Sequence, residues 1–108
     1  MMGWIYLLLA GVFEIGFTTS MRYMDWSLRP MPIIAFLICS VLSFGLLIAA
    51  MKSVPLGTAY AVWTGIGAAG TALLGVALLG DAATPLRLGS IALIVLGVVG
   101  LRVGGGAA

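Results

Sequence analysis

One carboxylate, Glu14, lies about ten residues inside a long apolar run of this 108-residue chain. An ionised side chain at that depth in a bilayer is costly and usually marks an ion, proton or substrate path. Taking a carboxylate out of water favours its neutral form, so the group is suited to loading and releasing a proton. Once ionised, it is best compensated by a cation. A carboxylate that holds either a proton or a cationic substrate, never both, is the core of an exchanger. All five cations, Arg22, Arg29, Lys52, Arg87 and Arg102, stand at the ends of apolar runs. None is placed to form a structural ion pair with Glu14. The competing structural reading is a protonated Glu14 hydrogen-bonded to a neighbouring helix.

Other residues could complete such a site. Tyr60, Trp63 and Gly67 fall at i, i+3 and i+7 and so share one helix face. Their rings offer an electron-rich surface for a cation, and the Tyr hydroxyl and Trp N–H can orient a carboxylate. The alternative is an interfacial aromatic belt, which suits Trp4, Tyr6, Tyr23 and Trp26 at run ends better than it suits Trp63. Ser43 is a candidate hydrogen-bond partner for Glu14. Gly65-Ile66-Gly67-Ala68-Ala69-Gly70 matches GxGxxG, but no strand precedes it, so dinucleotide binding is rejected. In a membrane helix these glycines allow close packing and bending, which makes Gly65 and Gly67 hinge candidates. Ser90 and Gly97, seven apart, mark a packing or dimerisation face.

The elements that must position these residues follow from composition. The chain is 63% hydrophobic and 7% charged, whereas soluble domains carry about 25% charged residues. So short a chain cannot bury that much apolar surface in one core. A soluble enzyme, a nucleic-acid binder and a disordered tail are excluded. The five cations form no basic run that could hold a phosphate backbone. With no histidine and only Cys39 for a thiol, no zinc site, intrachain disulfide or cofactor is expected. Cys39 reads as a small packed residue.

Charges and prolines divide the sequence into four runs, at about 4–21, 32–51, 58–79 and 86–103, each near the length of about 20 residues that crosses hydrocarbon. The expected fold is an all-α membrane protein, a single domain of four transmembrane helices in an up-and-down bundle, with residues 104–108 a disordered tail. The first run carries an acid and has no basic residue before it, so it reads as a permanent span. The charge bias that fixes orientation nearly cancels. Lys52 and Arg102 fall on one side, Arg22, Arg29 and Arg87 on the other. Two oppositely inserted copies could therefore assemble head to tail, while three cations against two could instead fix one orientation.

With these residues in place the chain resembles the small multidrug resistance family. The resemblance rests on Ala10-Gly11-Val12-Phe13-Glu14 and on the stretch Pro55-Leu56-Gly57-Thr58-Ala59-Tyr60-Ala61-Val62-Trp63-Thr64-Gly65-Ile66-Gly67. It implies a proton-coupled exporter in a bacterial inner membrane that works as an antiparallel, dual-topology dimer, not an enzyme. Its partners would be protons, a small organic cation, lipid, and an identical or a paired homologous subunit. The two Glu14 carboxylates would form the shared proton and substrate site, with Tyr60 and Trp63 lining it. Ala50-Met51-Lys52-Ser53, Leu79-Gly80 and the last span are most similar to the guanidinium exporter subtype, in which Gly11 and Ser43 match positions supporting the central Glu. Guanidinium is a planar fork of N–H donors that pairs with a carboxylate bidentately. Phe17 departs from that subtype, which typically has Trp three residues after the Glu. Thr18 and Thr19 look more like the multidrug subtype or one member of a heterodimeric pair. A quaternary ammonium exporter is thus the alternative within the family, and a proton-binding subunit of a larger assembly the alternative outside it.

Overall fold

A computed structural model describes residues 2–24 and 30–105. Asp25, Trp26 and Arg29 lie outside the described residues, as does the end of the expected tail at 106–108. The chain forms four helices, α1 (Met2–Tyr23), α2 (Pro30–Ala50), α3 (Leu56–Leu78) and α4 (Pro85–Gly105). At 21 to 23 residues each and about 1.5 Å of rise per residue, all four are long and apolar enough to cross a membrane. Gly104 and Gly105 belong to α4 rather than to a tail.

Prolines open three of the helices, where their missing N–H leaves no orphan donor. Pro30 and Pro32 begin α2, Pro55 directly precedes α3 and accepts Ala59 N–H at 2.8 Å, and Pro85 begins α4. Thr84 caps α4 by accepting the Arg87 N–H at 3.2 Å. Between α2 and α3 the chain stays wound, with Val54 N–H donating to Ala50 O at 2.9 Å and Val54 buried. Between α3 and α4 it turns at Gly80, whose φ of +77° is a conformation that glycine adopts without strain. Hydrogen bonds close these connections locally.

The expected bundle is not closed. Helix α1 packs on both α2 and α3, whereas α4 packs chiefly on α3 and reaches α1 through the Arg102 side chain. The molecule measures 46 × 34 × 16 Å, so it is a slab little thicker than one helix with its side chains, about 10–12 Å across. In water such a slab would collapse to hide its apolar faces. In lipid those faces carry no comparable penalty, so close approach between particular side chains decides the arrangement.

The N-terminus, the 51–55 connection and the end of α4 meet at one end, termed here the terminal end. Gly3 lies against Ser53 and Val54, and the Arg102 guanidinium sits 5.1 Å from the Trp4 ring centroid. The buried core gathers toward this end and comprises Trp4, Leu7, Ala10, Leu47, Ala50, Val54, Ala59, Val62 and Trp63. Trp4 therefore belongs to the core rather than to an exposed belt, and Tyr6 packs partly buried against it, while Tyr23 is exposed. The 79–84 connection occupies the far end.

Candidate functional site

Glu14 reaches the α1–α3 seam because α3 has glycine opposite it. A Cβ on Gly67 would overlap the Glu14 carboxyl carbon and Oε1, so the absence of a side chain creates the berth for this acid. Close approach is repeated on either side. A Cβ on Gly11 would stand 2.8 Å from Ile66 Cβ, and one on Gly70 would run into Ile15. The glycines of the GxGxxG stretch are thus packing positions. Gly65 meets Val98 of α4, and α3 passes through 65–67 without a break.

The Glu14 Oε1 atom is buried without a hydrogen-bond partner, and the residue lines a cavity of about 560 Å³. A carboxyl oxygen left unpaired in an apolar slab is expensive. The cavity is also lined by Thr18, Thr64, Gly67, Thr71, Asp81 and Arg87. The Thr18 hydroxyl donates back to its own helix at Glu14 O, 2.9 Å, and lies 2.7 Å from Thr71 Oγ1. Because one hydroxyl has one proton, Thr71 is then the donor to Thr18.

The aromatic residues form a wall of their own, and none of them is among the residues that line the Glu14 cavity. Tyr60 and Trp63 have ring centroids 5.9 Å apart, and Phe17 stands 6.5 Å from Trp63. Two rings that sequence reasoning passed over complete it. Phe44 stacks on Phe17 at 5.8 Å and approaches Trp63 at 5.5 Å, while Phe36 meets Phe17 edge-on at 5.9 Å. The signal available for them was spacing, since Phe36, Ser40 and Phe44 fall at i, i+4 and i+8 on α2.

Ser43 does not bond Glu14 in this structure. Fully buried, its hydroxyl donates to Ala10 O at 2.6 Å and accepts the Trp63 indole N–H at 2.9 Å. One hydroxyl thereby ties α1, α2 and α3 together at the base of the aromatic wall, and fixes the Trp63 ring plane. The indole N–H is accordingly directed to Ser43 rather than to a carboxylate. Two further hydroxyl oxygens, of Thr19 and Ser40, are buried without partners along α1 and α2.

Ser90 and Gly97 stand apart from this site. Ser90 is exposed and bonds back to Leu86 O at 2.8 Å, and nothing lies within 4 Å of a Cβ on Gly97. Cys39 is half-buried, with its sulfur against Gly16. Among the described residues, no three His, Cys, Asp or Glu side chains cluster as metal ligands would.

The profile of the family described as Small Multidrug Resistance protein matches residues 2–94. The chain is 48% identical over 101 residues to the guanidinium exporter of Escherichia coli (strain K12), covering 94% of this chain and 96% of that one. It is likewise 48% identical to the guanidinium exporter of Salmonella typhimurium (strain LT2) and 46% identical to that of Citrobacter freundii, with the same coverage.

Proposed function

The chain belongs to the small multidrug resistance family, and from that premise we propose that it exports guanidinium or small substituted guanidinium cations in exchange for protons. It is a multi-pass membrane protein, and we assign it to the bacterial inner membrane. The observation that carries the reading is Glu14 itself, which lines a cavity and has its Oε1 buried without a partner against Gly67. The names of the relatives supply the substrate class.

In the proposed cycle two copies insert in opposite directions and pair, and their Glu14 carboxylates form one site. The deprotonated pair binds the cation from the cytoplasm, its N–H donors filling the oxygen that otherwise lacks a partner. Bending of α3 at Gly65 and Gly67 then opens the site outward. Protons neutralise the carboxylates, and the cation leaves. Tyr60, Trp63 and Phe17 present ring faces to the cation, Ser43 holds Trp63, and Ser90 and Gly97 belong to the packing face of α4.

A second reading is favoured by the wall itself. It is built of Phe17, Phe36, Phe44, Tyr60 and Trp63, and the only indole N–H in it is occupied by Ser43. Such a surface suits quaternary ammonium cations, which stack on rings and donate no N–H. Electrical recording on reconstituted protein with guanidinium, a monosubstituted guanidinium and a tetraalkylammonium separates the two. Currents from the first two support guanidinium export, and a current from the tetraalkylammonium alone overturns it. Glu14→Gln should reduce transport to the level of empty vesicles and abolish proton release on cation binding; retained pH-dependent transport would sink the mechanism. Cross-linking of the chain expressed alone tests the homodimer, because absence of an antiparallel pair would point to a heterodimeric partner.

A further inference from the structure

The Glu14 cavity extends toward the far end and finishes at an ion pair. Asp81 and Arg87 line the same cavity, with Arg87 Nη2 3.5 Å from Asp81 Oδ2 and both side chains half-exposed. Asp81 is fixed by the backbone. The Gly75 carbonyl accepts N–H groups from Leu79 at 3.0 Å and from Asp81 at 3.1 Å around the positive φ of Gly80. Its carboxylate consequently lies on Gly75, where a Cβ would run into Oδ2. Glu14 rests on Gly67 in the same manner.

Gly67, Thr71 and Gly75 are at i, i+4 and i+8 of α3, a single ridge rising about 6 Å per step. Along it stand the Glu14 carboxyl, the Thr18–Thr71 hydroxyl pair and the Asp81 carboxylate. The two acids are about 12 Å apart on this rise, close to the distance of about 10 Å over which charge is felt at 0.1 M salt. A cation with several N–H donors would find an acceptor at every step.

The ion pair at the mouth is poorly suited to stabilising the helices it joins. Asp81 follows the C-terminus of α3, the negative end of that helix, and Arg87 stands in the first turn of α4, the positive end. Each charge is at the end where the helix dipole disfavours it. Their contact is a single long hydrogen bond between half-exposed groups, a kind of pair that contributes little to stability. An acid held loosely by a guanidinium is an acid from which another guanidinium can displace it.

We propose that Asp81 is an outer cation-binding carboxylate, where a guanidinium-type cation exchanges with the Arg87 side chain before passing along the Thr18–Thr71 pair to Glu14. The proposal rests on the export reading above. It assigns Arg87 the part of a resident competitor.

Guanidinium KM and kcat measured on the full chain in liposomes, for wild type, Asp81→Asn and Arg87→Gln, test it. Asp81→Asn should raise KM by about 1.5-fold to fivefold, the range expected of one half-exposed charge, with the change falling on KM rather than kcat. Arg87→Gln should lower KM, because the competitor is gone. High salt should shrink both shifts. A structural ion pair predicts that both substitutions act in the same direction, so equal or same-sign shifts overturn the proposal, as does an Asp81→Asn protein whose KM is unchanged. Wild-type protein that carries no guanidinium would overturn the export reading itself, an outcome distinct from flux that is indifferent to Asp81.

Discussion

Helices α1 and α4 have 22 and 21 residues and each carries one arginine in its last turn, yet their glycines meet opposite surroundings. In α1, a Cβ on Gly3, Gly11 or Gly16 would collide with Ser53, Ile66 or Cys39 respectively. In α4, nothing lies within 4 Å of a Cβ on Gly89, Gly97, Gly100 or Gly104. Helix α1 contributes five residues to the buried set, Gly3, Trp4, Leu7, Ala10 and Gly11, whereas Ile91 is the buried hydrophobic residue from α4. With lipid as solvent, apolar content does not decide which helix goes to the centre. Small residues that admit a neighbouring side chain decide it, and the helix that has such neighbours is also the one that carries the acid.

The comparison can be broken at four positions. The largest effect is expected at Gly67, where an alanine Cβ would take the space of the Glu14 carboxyl. That carboxyl is the far end of a flexible chain and can swing away. Gly67→Ala should therefore cut transport at least tenfold while leaving helical content and resistance to unfolding near wild type, and a fully active variant would contradict the berth. Gly11→Ala pushes instead on the β-branched Ile66, which cannot move aside, so overpacking of about 1–3 kcal/mol is expected in a denaturant titration. Ser43→Ala leaves the Trp63 N–H and Ala10 C=O without their buried partner. About 0.6–2 kcal/mol is the expected loss, as for other hydrogen bonds inside membrane proteins, read in the same titration. Gly97→Ala should change the stability of the isolated protomer by less than about 0.5 kcal/mol. Its effect should appear in cross-linking of pairs, and a destabilised protomer would show that α4 has a neighbour on this face within one chain.

The helices were legible because their signals are local: apolar runs of membrane length, charges between them, and proline at or just before the start of α2, α3 and α4. Glu14 was legible because an acid in such a run has no ordinary explanation. The slab was not, since the sequence does not say which glycine faces which side chain, and that pairing draws α2 and α3 onto α1 and leaves α4 chiefly on α3. The same gap hid the Ser43 node. The types and depths of Ser43 and Trp63 pointed to the site, but their mutual hydrogen bond depends on how α2 and α3 meet at α1. Phe36, Phe44 and Thr71 were missed for a related reason: phenylalanine and threonine are unremarkable in a membrane helix until a partner ring or hydroxyl comes into reach.

The Trp63 indole donates its N–H to a hydroxyl that is itself anchored on the carbonyl of Ala10. Its ultraviolet emission is therefore sensitive to the register of three helices at once. Replacing Trp4 and Trp26 by phenylalanine would leave this ring as the sole indole emitter, a built-in optical gauge of whether α1, α2 and α3 keep or lose their junction as cations and protons come and go.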